Sequence, residues 1–210
     1  VLGALLHTMG KPLLISAELP SLKVTMNPEQ KAILRGHVTK LCSKLDALGW
    51  KPSPTCRAVI EQANERLDGS GYPAGKREEQ LSALLRLVAV IKVVNKLLHA
   101  RNGLPPRAPL DAYRRVHEAG TAYDKTVLVE YIQVYGLYPI GSLTKYSGGF
   151  LAWVMDIDNK GMPNQVHIVK NLRFPDTNIS SVIGQDDLPQ IGKLQEIVNP
   201  SDYGVNIVKI

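Results

Sequence analysis

Few side chains in this 210-residue sequence have both the type and the spacing to do chemistry. The two cysteines, Cys42 and Cys56, make neither a C-x-x-C nor a C-x-x-H pair, so the usual zinc spacings are absent and no disulfide framework is implied. Cys42 lies near the apolar stripe of a helix and reads as a core thiol. Of the five histidines, His99, His117 and His167 are isolated. His7 and His37 also stand singly, and a lone histidine is more often a satisfied core residue than a ligand. Lys11 and Arg101 are ordinary surface cations by composition, although Arg101 has the fork that grips phosphate bidentately. Lys92 interrupts an apolar helix and shares a face with Ser82, Ala89 and Lys96, which on periodicity alone could be a solvated face. The most distinctive stretch is Asp68-Gly69-Ser70-Gly71-Tyr72-Pro73. Its glycines permit positive φ and Pro73 fixes the exit, so a rigid turn retained for folding is one reading.

These residues need elements to carry them. Residues 1–9 read as the end of a helix stopped near Gly10, and 11–26 as mostly loop. Asn27-Pro28 supplies an N-cap followed by proline at the first helical position. Leu34, Val38, Leu41, Leu45 and Leu48 then recur at helical spacing until Gly49. Ser53-Pro54 repeats the start signal for a helix running to about Arg66. After the glycine-rich loop, a long helix is expected over about Glu78 to Leu98, broken by Asn102-Gly103 and Pro105-Pro106. Shorter helices fit 109–119 and 124–135. Beyond Tyr138-Pro139 and Gly141 the pattern changes to strands at 142–146, 150–157 and 165–171, with further short strands at 194–198 and 204–209. The expectation is a mainly α protein: a helical domain over residues 1–136, then a small antiparallel β-rich subdomain over 137–210.

Composition narrows the classes further. Hydrophobic residues make up 44% and charged residues 21%, as in an ordinary folded domain rather than a disordered chain. The longest uninterrupted apolar run of the long helix, Leu87 to Ile91, is far too short for a membrane span. Two cysteines make a reduced, cytoplasmic setting the default. Residues 1–120 hold 18 Lys and Arg against 10 Asp and Glu, whereas 121–210 hold 7 against 9, so the first part favours an anionic partner. Aromatics at 6% are too few for a nucleic-acid polymer stacked on them. The chain opens on Val1 inside an apolar segment without a cap, so truncation at its N-terminus, with functional residues upstream, is expected.

The segment Glu65-Arg66-Leu67-Asp68-Gly69-Ser70-Gly71-Tyr72-Pro73 resembles the signature loop of the HD-GYP family, bacterial cyclic di-GMP phosphodiesterases within the HD superfamily. Other landmarks follow in the family's order. Leu5-Leu6-His7-Thr8-Met9-Gly10-Lys11 resembles its HD-x-GK segment, His37 falls where the family places a metal histidine, Arg101 resembles the arginine after the aspartate-bearing helix, and Tyr138-Pro139-Ile140-Gly141-Ser142 resembles the start of its β tail. The resemblance covers most of residues 1–150.

It implies a helical bundle whose metal ions activate a water against a phosphodiester, with imidazoles and carboxylates converging from several helices. Carried over residue by residue, it implies a degenerate centre. His7 and His37 remain as a metal-binding remnant, expected to be unfilled because their partners are gone: the family's carboxylates fall on Thr8 and Lys92, and its adjacent histidines on Ala63 and Asn64. An ammonium at Lys92 repels a metal and is itself able to replace the cation, held by Asn64 and the two imidazoles. No catalytic residues and no cofactor are then expected. By the same resemblance Lys11 and Arg101 contact ligand phosphates, and Gly71, Tyr72 and Pro73 form a docking surface for diguanylate cyclase (GGDEF) or other signalling proteins. The resulting expectation is a bacterial signal-transduction module, either a non-hydrolytic cyclic di-GMP receptor or a protein-docking domain, with no membrane or nucleic-acid polymer as partner. The rivals are an active phosphodiesterase with an altered Fe, Mn or other divalent centre, and a pure scaffold.

Overall fold

The computed structural model describes residues 1–16, 19, 26–99 and 107–205. Seven α-helices are found among them: α1 (Leu2–Leu6), α2 (Pro28–Arg35), α3 (His37–Ala47), α4 (Pro54–Gln62), α5 (Ala83–Leu98), α6 (Pro109–Glu118) and α7 (Lys125–Tyr135). Five strands follow: β1 (Leu143–Tyr146), β2 (Phe150–Ile157), β3 (Pro163–Asn171), β4 (Ser181–Gly184) and β5 (Leu194–Ile197). Two compact units are present, one of Val1–Arg107 with Asp111–Leu128, the other of Ala108–Leu110 with the chain from Val129 onward.

In the helical unit the start signals work as written. Asn27 and Gln30 form a reciprocal capping box at α2, and the Ser53 side chain accepts from the Cys56 amide at α4. The single helix expected from Pro28 to Leu48 is instead divided at Gly36, which stays near helical angles but lets α3 restart at His37. Leu48, assigned to the core stripe, is 68% exposed because α3 ends one residue before it. Helix α4 stops at Gln62 rather than Arg66, since the backbone there turns to meet the glycine-rich loop. The long helix begins at Ala83, preceded by a 3-10 turn at Glu78–Gln80.

Packing follows the 3.6-residue period. Val38, Leu41, Cys42 and Ile60 form one cluster, with Leu6, Leu45, Trp50, Cys56 and Tyr72 against it. Val59, Leu81 and Leu85 form another. Helix α5 buries Leu85, Ala89, Val90 and Val94 but leaves Leu84, Leu87 and Ile91 outward, so its apolar middle is not buried all round. Two glycines set close approaches. A Cβ on Gly3 would fall 2.8 Å from the Cys56 carbonyl, and one on Gly10 would overlap the His37 carbonyl, so α1 and the turn after it lie directly on α3 and α4.

The second unit holds an antiparallel sheet in the order β4-β3-β2-β1-β5. Leu143 pairs with Trp153, Val154 with Val166, and His167 with Val182. Its two faces carry separate clusters, Tyr146 with Ala152, Val166, Ile168 and Ile191 on one, and Leu143 with Leu151 and Trp153 on the other. Strand β4 was not expected from sequence, its short Ser-Val-Ile-Gly run being too exposed to alternate clearly. The strand expected at 204–209 is corrected at its start: Pro200–Tyr203 form a 3-10 turn, Gly204 is left-handed, and residues from 206 lie outside the described ones. No helix among the described residues is long and apolar enough to cross a membrane.

Candidate functional site

The structure brings four of the singled-out positions together from four segments. His7 ends α1, His37 opens α3, Asn64 follows α4, and Lys92 lies in the middle of α5. Of the face that Lys92 shares with Ser82, Ala89 and Lys96, the ends are exposed at Ser82 and Lys96, but Ala89 is only 8% exposed and Lys92 is half-buried beside it, so Lys92 itself is not a solvated side chain. The ammonium Nζ donates to Asn64 Oδ1 at 2.6 Å and to the Ala63 carbonyl. Helix α4 ends at Gln62, so the Ala63 carbonyl is free of the helical ladder and available to Lys92.

Both imidazoles are fixed by the backbone. His7 Nδ1 lies 2.5 Å from the Ala4 carbonyl and His37 Nδ1 2.7 Å from the Leu34 carbonyl. A carbonyl accepts only, so each Nδ1 carries the proton and each Nε2 carries the lone pair. His37 is fully buried, and its Nε2 has no hydrogen-bond partner; Asn64 Nδ2 is likewise buried and unpartnered. The Tyr72 ring meets His37 edge-on at 5.8 Å, and the Arg35 guanidinium lies over the same ring at 5.6 Å.

The local field is cationic. Burial holds both His7 and His37 below the usual histidine value, and the charges of Lys11 and Lys92 push in the same direction. Burial also pulls Lys92 down to about 7, with Lys96, Lys11 and Arg66 adding repulsion. A divalent metal does not suit this donor set. Two imidazole lone pairs are short of the four or more ligands that Fe, Mn or Zn takes, and an ammonium stands beside them. Among the described residues no group of three or more His, Cys, Asp or Glu side chains converges on one point. Thr8 contributes its backbone carbonyl to the Lys11 amide.

The glycine-rich loop is built onto the same helix end. Glu65, 2% exposed, accepts from the Ala74 amide at 2.7 Å and the Lys76 amide at 3.0 Å, while the Tyr72 amide donates to the Asn64 carbonyl at 3.2 Å. Gly69 has φ of +78°, as its residue type allows. Gly71 is needed for another reason: a Cβ there would stand 2.4 Å from the Arg66 nitrogen and the Glu65 Cα. The Tyr72–Pro73 peptide is cis. Of the trio expected to dock a partner, Tyr72 is half-buried against Val38, Leu41, Cys42 and Ile60, and only Pro73 is exposed.

Arg101 lies outside the described residues. Sequence reasoning missed Glu65 as the clamp of the loop and Arg66 and Lys96 as members of the cationic cluster. An acid placed directly before a turn rich in unpaired amides is the signal that could have found Glu65. Nothing local in the sequence marks Lys96, which joins the cluster only because it follows Lys92 by one helical turn.

Residues 2–127 match the HD domain family. The chain is 33% identical over 93 residues to the cyclic di-GMP phosphodiesterase PA4108 of Pseudomonas aeruginosa, covering 44% of this chain and 22% of that protein. It is 22% identical over 183 residues to the cyclic di-GMP phosphodiesterase PdeB of Borreliella burgdorferi, covering 86% of this chain and 48% of PdeB. The chain thus spans less than half the length of either relative. Among solved structures, Bd1817, an HDG"Y"P protein of Bdellovibrio bacteriovorus, aligns with a TM-score of 0.47 at 24% identity, over 60% of this chain and 39% of that one. The match over more than half of its residues makes this chain a member of the HD domain family, related to cyclic di-GMP phosphodiesterases.

Proposed function

We propose that this chain is a non-hydrolytic module of bacterial cyclic di-GMP signalling, an HD domain that receives the nucleotide, on the cytoplasmic side, without cleaving it. The observation that carries the reading is Lys92. Its ammonium, hydrogen-bonded to Asn64 Oδ1 and the Ala63 carbonyl, occupies the neighbourhood of the two remaining imidazoles. Hydrolysis of a phosphodiester needs an activated water, and in this chain neither His7 nor His37 is placed to make one. Each directs its N–H at a backbone carbonyl, burial together with the cations around them holds both below the usual histidine value, and among the described residues no cluster of carboxylates converges on them. Lys11 and Arg101 remain the phosphate contacts.

The test is cyclic di-GMP binding to the metal-stripped protein by calorimetry, together with turnover to a linear dinucleotide after addition of iron or manganese. Saturable binding without turnover supports the reading. Weakening by about tenfold or more in Lys11→Ala and Arg101→Ala, the effect of a lost charge-assisted hydrogen bond, supports the phosphate contacts. Turnover on addition of metal overturns it in favour of an altered phosphodiesterase. The docking reading has a narrower footing, the exposed Pro73 and Ala74 on a loop clamped by Glu65. Capture of a GGDEF domain by the wild type and loss of capture in Pro73→Ala would favour it.

A further inference from the structure

The second unit carries a cleft of its own, about 450 Å³ in volume, a size that takes a small molecule. Its apolar wall is Trp153, Val169, Ile179 and Val205. Trp153, on the central strand β2, is 4% exposed and packs with Leu143 and Leu151, with Val169 and Val205 against that cluster. The lining also carries one charge of each sign, Lys170 on β3 and Asp176 on the loop after it. Lys170 is half-buried, and its ammonium uses one of three N–H groups on the Tyr203 carbonyl at 2.6 Å. Neither charge has a counter-ion among the described residues, where the ion pair of this unit joins Lys145 to Glu196. The amides of Asp176 and Asn178, on the same loop, have no acceptor among the described residues, whereas that of Thr177 between them donates to the Phe174 carbonyl at 3.1 Å. A ligand of one sign satisfies one of the two charged groups and repels the other. A ligand with both signs close together, on an apolar body, suits the two charges and the wall at once.

We propose that this cleft binds a free α-amino acid with an apolar side chain, its carboxylate held by Lys170, its ammonium by Asp176, and its side chain laid on Trp153, Val169 and Val205. The residues involved belong to the second unit, and His7, His37 and Lys92 to the first. The proposal is therefore independent of the nucleotide reading, and either can fail without the other.

The full chain is titrated with L-leucine and with L-phenylalanine and followed by the indole N–H resonances of its two tryptophans. The Trp153 N–H is buried with no acceptor among the described residues, and Trp50, in the helical unit, is the internal control. A saturable shift of the Trp153 resonance is expected, with that of Trp50 unmoved. Phenethylamine, which lacks the carboxylate, is expected to bind at least about tenfold more weakly than phenylalanine, as for a lost charge-assisted hydrogen bond. Hydrocinnamate lacks the ammonium, and because Asp176 is exposed the expected loss is about threefold. Lys170→Met should remove the discrimination against phenethylamine, and Asp176→Asn that against hydrocinnamate. No saturable Trp153 shift with either amino acid overturns the proposal, as do equal wild-type affinities for phenylalanine, phenethylamine and hydrocinnamate. Should Lys170→Met loosen the fold through its Tyr203 contact, the wild-type comparison of the three compounds and Asp176→Asn decide the matter.

Discussion

Replacing Lys92 by methionine gives the protein a different dependence of stability on pH. In the folded chain Lys92 is held at about 7, against 10.5 for the free side chain, chiefly because burial removes water from the ammonium. Below the folded value both states carry the proton, and the contribution to stability is flat. Between about 7 and 10.5 the unfolded chain binds more protons than the folded one, so stability rises with pH through that window. A full shift contributes about 3 kcal/mol between pH ~6.5 and ~9.5, from 1.36 kcal/mol per unit. Partial access of water to the side chain reduces this to about 2 kcal/mol. Lys92→Met removes the contribution. The assay is urea denaturation of wild type and Lys92→Met across that pH range. The wild type should gain stability relative to the variant as pH rises. Parallel curves, or a variant that gains relative to the wild type, would refute a buried Lys92 and with it the account of the pocket.

Other consequences are local. Gly71→Ala should destabilise the chain by about 1–3 kcal/mol in urea, the usual cost of overpacking, because the new methyl would meet the backbone of Glu65 and Arg66. Glu65→Ala should cost about 3 kcal/mol or more, since it leaves the amides of Ala74 and Lys76 without their acceptor; Glu65→Gln should recover less than half of that loss, because its amide keeps one acceptor oxygen and turns an NH2 toward the other N–H. Tyr72→Ala should lower the melting temperature, with a loss of about 2–4 kcal/mol for a half-buried aromatic, because the ring packs on His37 and the α3–α4 cluster; an unchanged melting temperature would contradict that packing.

The helical elements were largely legible in the sequence because their signals are local. Asn27-Pro28 and Ser53-Pro54 name their own helix starts, and the residues they cap do begin α2 and α4. Helix ends were less legible where tertiary contacts decide them. Nothing near Gln62 stops a helix; α4 ends there because Asn64 and Glu65 turn to hold the loop. The site was half legible. His7, His37, Asn64 and Lys92 could be singled out only through the resemblance, since three are unremarkable alone and Lys92 reads as solvated by periodicity. That Ala63 supplies a carbonyl rather than a side chain is invisible in sequence, for backbone acceptors have no residue code. Gly10 and Gly71 look like turn glycines, yet each is set by contact, with the His37 backbone and with Glu65 and Arg66. The β4 strand was missed because four mostly exposed residues present no alternation to read.

In the proposed reading the Lys92 ammonium takes the place of a metal. Its most direct test is elemental analysis of the full-length native protein, purified from cells grown with added iron and manganese, with Lys92→Asp measured beside it. The account expects well under one ion per chain in the wild type and no turnover of cyclic di-GMP by that preparation. One or more tightly bound ions per wild-type chain would contradict it, because two imidazoles beside Lys92 could not hold them.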